Sequence, residues 1–230
     1  MEVIILAGGL GTRLKAVTQS LPKPMAPIGS KPFLELLLDY LVEQDVTRVI
    51  LSVGYKHEKI SSYFKDKYKS CELVYSVENE PLGTGGAIRY ALRQAKSEHV
   101  LIINGDTLFH VPLCQMMSFH LEQQSDLTLA LKPMTNFDRY GNVLLSNTRV
   151  TGFEEKKHQA KGNINGGMYC IRKEIFERFD FPKKFSFESD FLESYVSKIR
   201  VYGFTVEGYF IDIGIPEDFE RAQLELGGSS

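Results

Sequence analysis

The 230-residue chain contains no stretch of about 18 consecutive apolar residues and no basic N-terminal segment leading into one, so neither a membrane-spanning helix nor a signal peptide is expected. A cytoplasmic location and no membrane partner are expected. Cysteine is sparse: Cys71, Cys114 and Cys170 are odd in number and far apart, a pattern of reduced structural thiols rather than of disulfides or a zinc site. His57, His99, His110, His120 and His158 also lack the close spacing of metal ligands. Charge of one sign is missing as well, since 27 Lys and Arg face 29 Asp and Glu for a formal net of −2. That balance argues against a generally polyanion-binding surface and implies no nucleic-acid partner, so any phosphate ligand must be met by local cations. Internal repeats, long linkers and low-complexity segments are absent, and a loose tail is expected at Gly227-Gly228-Ser229-Ser230.

What is present is an ordinary globular composition, 43% hydrophobic and 24% charged, over a length that suits one large α/β domain. Val3-Ile4-Ile5-Leu6 is a continuous apolar run of the kind found in parallel strands covered on both faces. Out of it comes Gly8-Gly9-Leu10-Gly11-Thr12-Arg13-Leu14, and shortly afterwards Pro22-Lys23-Pro24-Met25. Small residues after a strand let the backbone approach a ligand, and the two cations supply charge that backbone dipoles cannot. The stretch has the makings of a phosphate cradle, but of neither common type. Leu14 stands where a dinucleotide fingerprint begun at Gly9 needs a third small residue, and Arg13-Leu14 stand where a P-loop begun at Gly8 needs Gly-Lys. A nicotinamide-dependent dehydrogenase is thereby excluded.

Phe33, Leu36, Leu37, Tyr40 and Leu41 recur at helical spacing before an apolar strand at 48–53, completing a βαβ unit. Further strands are expected at 72–77, 99–103 and 127–131, with helices at 56–64, after Gly83 and at 113–123. Leu82-Gly83-Thr84-Gly85-Gly86 opens one of these helices with residues of poor helix propensity, suited either to close approach of a ring or sugar or to tight helix packing. Asp106 follows the strand at 99–103, where open α/β sheets bind ligands, which makes it a metal-ligand candidate as well as an ordinary turn residue. Beyond it, strands at 142–145, 150–153 and 167–171 are separated by turns, as in an antiparallel or mixed sheet. Helices are expected at 173–179 and 188–197, strands at 200–205 and 209–213, and a last helix from Pro216.

Taken together, Gly8 to Leu14, Pro22-Lys23-Pro24-Met25, Leu82 to Gly86, Asn104-Gly105-Asp106, Phe153-Glu154-Glu155-Lys156, Asn165-Gly166-Gly167-Met168-Tyr169 and Ile211-Asp212-Ile213-Gly214 resemble, in order, the motifs of the sugar-1-phosphate nucleotidyltransferases. The resemblance spans residues 4–226. It implies a single domain over 1–226 with a Rossmann-like, mixed, mainly parallel central sheet and helices on both faces, the nucleotide-diphospho-sugar transferase fold. It further implies a nucleotide-binding part over about 1–110, a sugar-binding part over about 111–226, a flexible tail at 227–230 and no C-terminal β-helix domain. The implied reaction joins a nucleoside triphosphate and a sugar 1-phosphate with release of pyrophosphate. It needs no general base, because the attacking phosphate is already ionised, and it does need charge neutralisation. A non-catalytic nucleotide-sugar sensor on the same fold would be expected to lose Arg13, Lys23 or an acidic metal ligand, and all are present.

The roles implied by the resemblance are these. Leu6, Ala7, Gly8, Gly9, Gly11 and Thr12 bind the nucleotide, with amides from Gly9 to Thr12 wrapping the triphosphate. Arg13 holds the β and γ phosphates, and Lys23 sits near the α-phosphate. Asp106 and Asp212 share Mg²⁺, a hard cation suited to carboxylate and phosphate oxygens. Lys156 holds the attacking phosphate, and Glu155, Asn165 and Gly141 meet sugar hydroxyls on a side that also includes Tyr140, Gly166 and Glu188. Glu80, Pro81, Gly83, Thr84 and Gly86 form the base loop. A carboxylate there accepts from guanine N1–H and N2–H together, whereas uracil and thymine would set a lone pair against it; Glu80 is expected to read the base, with Glu78 the alternative. GTP is thus favoured, with a manno-configured sugar 1-phosphate, heptose ahead of mannose. Phe210, where many members have tryptophan, and Lys157, where many have proline, depart from the pattern. The resemblance leaves monomer and homodimer open.

Overall fold

The computed structural model describes residues 1–9 and 21–228. The chain begins with β1 (Glu2–Leu6), in which Val3, Ile4 and Ile5 are fully buried: Val3 and Ile5 enter one apolar cluster and Ile4 the other. A strand buried on both faces belongs at the centre of a layered α/β sheet. After the short pair β2 (Pro27–Ile28) and β3 (Lys31–Pro32), α1 (Phe33–Glu43) begins just past the extended Pro32 and buries Phe33, Leu34, Leu37, Leu38 and Leu41. There follow β4 (Arg48–Val53), α2 (His57–Phe64), β5 (Lys67–Tyr68), β6 (Cys71–Val77), α3 (Gly83–Leu92), β7 (His99–Asn104) and β8 (Thr107–Phe109). The second half contains α4 (Leu113–Glu122), β9 (Leu127–Phe137), β10 (Asn142–Ser146), β11 (Arg149–Glu154), β12 (Gln159–Arg172), β13 (Val201–Thr205), β14 (Phe210–Asp212) and α5 (Pro216–Leu226).

Ten strands form one sheet in the order β10-β11-β13-β9-β12-β7-β1-β4-β6-β5. The pairings β7–β1, β1–β4, β4–β6 and β9–β13 are parallel, and within the sheet only β5, β11 and β12 run against the rest. The sheet is therefore mixed and mainly parallel, with side chains of α1, α2, α4 and α5 in the cluster on one face and those of α3 in the cluster on the other.

Four of the expected elements take another form. β9 and β12 extend well past their apolar cores, to Phe137 and back to Gln159, because they pair with each other where one face is open to solvent and apolar alternation is lost. The expected helix at 173–179 is a single tight turn, Ile175–Arg178, and that at 188–197 has wide, π-type turns over Phe187–Glu193. Both are governed by ring packing: Phe176 lies 5.0 Å from Phe191 and 5.5 Å from Phe185, centroid to centroid, and Phe187 lies 4.8 Å from Tyr169. Burying large rings here outweighs the regularity of the helix.

Candidate active site

Parallel strands deliver their carboxyl ends to one rim of the sheet, and the site is built there. Gly105 N donates to Leu6 O at 3.0 Å, and a Cβ on Gly105 would come within 2.5 Å of that oxygen. Only glycine lets the chain turn so close to β1, and the turn carries Asp106 to the rim. β8 then pairs antiparallel with β14, setting Asp212 opposite Thr107, and Ile213 N donates to Asp106 O at 2.9 Å. This small ladder brings together two aspartates separated by more than a hundred residues.

Lys23 lies in a short helical turn, Lys23–Met25, with Pro22 and Pro24 on either side. Its ammonium forms an ion pair with Asp106. Asp212 is bound by Gly214 N at 2.7 Å, yet burial and then the Asp106 charge push its carboxyl above the usual range, against the pull of Lys23 and the Gly214 amide. Two carboxylates with one ammonium are a cation short. That donor set suits a hard divalent ion that draws its other ligands from phosphates and water. Among the described residues no group of three His, Cys, Asp or Glu side chains could enclose a metal unaided.

Two cavities meet at this point. One, of about 610 Å³, is lined by Gly8, Ser52, Gly54, Tyr55, Glu78, Glu80, Pro81, Gly83 and Thr84, with Leu6 beneath. The other, of about 620 Å³, is lined by Tyr140, Lys156, Asn165, Gly166, Glu188 and Asp212. Lys23, Asp106, Gly9, Asn104 and Glu188 line both. A further hollow of about 530 Å³ continues the second past Gly141 and Glu155. The charged groups thus stand where occupants of the two cavities would touch.

On the second side, β12 breaks register against β9 between Asn165 and Tyr169. Gly167, at φ +69, permits the bulge, and Asn165 closes it by accepting from Gly167 N at 3.1 Å and donating to Tyr169 Oη at 2.9 Å. Lys157 pairs with Glu154 at 2.9 Å, whereas Lys156 has no carboxylate partner among the described residues and lines the cavity. Glu154 also accepts from Asn142 and Gln159 and is structural. A Cβ on Gly141 would stand 2.7 Å from Glu154 O. Tyr140 packs on Phe210 at 6.0 Å, and burial beside Asp212 raises its phenol to about 12. Glu188 accepts from Thr84 Oγ1 at 2.8 Å, tying the two sides together.

On the first side, the structure distinguishes the two loop carboxylates. Glu80 is 60% exposed in its side chain and ion-paired with Lys183, which lowers its pKa. Glu78 lines the cavity, accepting from Ser52 Oγ at 3.3 Å and Leu82 N at 3.1 Å, and burial raises its pKa. A Cβ on Gly8 would press to 3.1 Å from Glu78 Oε1. The glycines of α3 are required by packing: added Cβ atoms on Gly83, Gly85 and Gly86 would meet Phe185 O at 2.5 Å, the Phe185 ring at 2.2 Å and Lys183 O at 2.6 Å. Gly83 and Thr84 still line the cavity, but Gly86 faces the 183–187 segment. Ala7 is 1% exposed and its amide donates to Ser52 O at 2.8 Å, so that amide is already used.

Gly11, Thr12 and Arg13 lie outside the described residues. Ser52, Gly54 and Tyr55 at the first cavity belong to none of the sequence motifs, and Asn104 and Gly167 lie in motifs but had no role assigned; the signal for Gly54-Tyr55 was its place just after β4, equivalent to that of Gly8 after β1. No helix among the described residues is long and apolar enough to cross a membrane.

A family model described as nucleotidyl transferase matches residues 2–228. The chain is 54% identical over 226 residues to the D-glycero-α-D-manno-heptose 1-phosphate guanylyltransferase of Aneurinibacillus thermoaerophilus, covering 98% of each chain. It is 47% identical to the enzyme of the same name from Campylobacter jejuni, over 95% of this chain and 97% of that one. HddC from Yersinia pseudotuberculosis, solved in complex with GMP-PN, superposes with a TM-score of 0.86 at 41% identity, over 97% of this chain and 98% of that one. With a matching model across nearly its whole length and relatives of this identity, the chain belongs to the nucleotidyl transferase family.

Proposed function

We propose that the protein transfers GMP from GTP to D-glycero-α-D-manno-heptose 1-phosphate, giving the GDP-sugar and pyrophosphate. The observation that carries the reading is the pair of cavities that share a wall of Lys23 and Asp106, one holding Glu78 and the other Lys156, which has no carboxylate partner among the described residues. The names of the relatives supply the nucleotide and the sugar.

In the reaction, an oxygen of the sugar phosphate forms a bond to the α-phosphorus while the bond from that phosphorus to the β-bridging oxygen breaks, and the electron pair leaves with pyrophosphate. The attacking oxygen carries no proton at neutral pH, so the chain supplies position and charge. Lys156 draws the sugar phosphate into its cavity. Lys23 faces the α-phosphate, where its ammonium offsets the negative charge that builds as the two anions close, an effect made stronger by its partial burial. Asp106 and Asp212 would hold Mg²⁺, which supplies Lewis-acid stabilisation of the phosphate oxygens. Arg13, assigned from its motif alone, retains the departing pyrophosphate. Glu78, not the Lys183-bound Glu80, takes the guanine edge, since each of its oxygens has one protein donor and a lone pair left for N1–H or N2–H. In this reading residues 1–110 bind the nucleotide and 111–226 the sugar phosphate, with Asp212 crossing between them.

Mass spectrometry of the products tests the transfer. GTP labelled with ¹⁸O at the α-phosphate should give a labelled GDP-sugar and unlabelled pyrophosphate. Formation of GDP and inorganic phosphate in place of the sugar nucleotide would contradict it.

A further inference from the structure

Tyr55 occupies a place that core packing does not account for. Val53 of β4 pairs with Val77 of β6 in parallel register, and Glu78 N donates to Val53 O at 2.8 Å, so Gly54-Tyr55 and Glu78-Asn79 leave the sheet side by side. A Cβ added at Gly54 would lie 3.8 Å from Glu78 Cβ, close enough that the two turns are in contact. Tyr55 lines the same cavity as Glu78, yet it is 49% exposed. Lys56 Nζ stands 5.1 Å from the centroid of the Tyr55 ring, and Lys56 itself adopts φ +55 at the start of α2. A large ring is thus held at a cavity mouth with half its surface in water, beside a carboxylate placed to read a base.

We propose that Tyr55 is a specificity-determining residue whose ring is the platform on which the purine stacks, selecting purine over pyrimidine while Glu78 selects guanine among purines. The inference rests on the guanylyl reading and divides its selectivity between two residues. Stacking is indifferent to hydrogen-bonding edges, because every base has a π-face, but it grows with ring area, which favours the bicyclic bases. A carboxylate fork does the reverse, distinguishing edges and ignoring area. The Lys56 ammonium over the ring adds cation–π attraction that holds the ring in place.

Steady-state kinetics with GTP, ITP, ATP and UTP separate the two contributions. Tyr55→Ala should raise KM for GTP and for ITP alike by about tenfold, the lower part of the range for a lost base–aromatic stack, with kcat within about twofold and the GTP to ITP ratio unaltered. Tyr55→Phe should recover most of that loss. The chain has no tryptophan, so Tyr55→Trp introduces a single indole whose fluorescence, selectively excited beyond the tyrosine absorption, should be quenched when GTP binds. A Tyr55→Ala variant whose KM for GTP stays within about twofold of wild type, or that weakens UTP as much as GTP, overturns the proposal, as does an unquenched Tyr55→Trp variant that still turns over. A wild type that prefers GTP with an insensitive Tyr55→Ala removes this proposal alone. A wild type that prefers UTP removes the guanylyl reading as well.

Discussion

Lys23 answers the charge of Asp106 while facing the place where two further anions have to meet. Its removal should therefore be felt in turnover far more than in folding. Lys23→Met is expected to lower kcat by about a hundredfold or more, the usual effect of deleting one preorganised electrostatic contact, with an unchanged far-UV circular dichroism spectrum. A kcat within tenfold of wild type would remove Lys23 from the reaction. The carboxylates of the base loop offer a second comparison. Glu78→Gln keeps the size and replaces an acceptor by a donor facing guanine N1–H. It should lower the preference for GTP over ATP by at least about tenfold, because a buried edge contact left mismatched is costly. Glu80→Gln should leave that preference nearly intact, since Glu80 is exposed and occupied by Lys183. Equal effects in competition assays would contradict the assignment. The sequence pointed to an acidic residue in this loop and put Glu80 ahead of Glu78, two positions away, whereas the geometry favours Glu78. The choice depends on which one the β4 and β6 ends enclose.

β7, α4 and β9 are joined by a polar relay inside the sheet-and-helix interface. His120 is completely buried on α4, with its ring nitrogens 2.9 Å from His99 Nδ1 and from Thr128 Oγ1. Burial, then the neighbouring His99 and Arg172, push its pKa down to about 4. The folded protein therefore leaves this ring neutral where the unfolded chain, with a value near 6.5, takes up a proton. Stability rises with pH across that window and is lost as pH falls from about 6.5 to about 4, by on the order of 3 kcal/mol for this group. Urea midpoints measured between pH 4.5 and 7.5 should show a shallower pH dependence in His120→Gln than in wild type; parallel curves would contradict the account. Nothing in the spacing of the five histidines revealed this relay, because its members are brought together by strand pairing. The same limit applies to β12, where a bulge at Asn165 to Tyr169 forms part of the sugar-side cavity. By contrast, β1, β4, β6, β7 and their helices were legible, because burial on both faces or along one stripe writes itself into the apolar pattern. The Phe187–Glu193 segment was misjudged as a regular helix, since ring-on-ring packing leaves no mark on helical periodicity.

Across the whole molecule, the sheet places the ends of β1, β4, β6 and β7 on one side of Lys23 and Asp106, and the β12 bulge with β14 on the other. The order of motifs along the chain identified this family because each motif sits at a strand end or bulge on one rim, while their meeting in space had to await the fold. In the proposed reaction this rim joins a guanine nucleotide to a manno-configured heptose 1-phosphate. The measurement that tests it most directly is kcat/KM for pyrophosphate release, with GTP, ATP, UTP, CTP and dTTP each paired with the 1-phosphates of D-glycero-α-D-manno-heptose, mannose and glucose in the presence of Mg²⁺. The highest value is predicted for GTP with the heptose phosphate, and the highest for UTP, dTTP or CTP, or for glucose 1-phosphate, would contradict it.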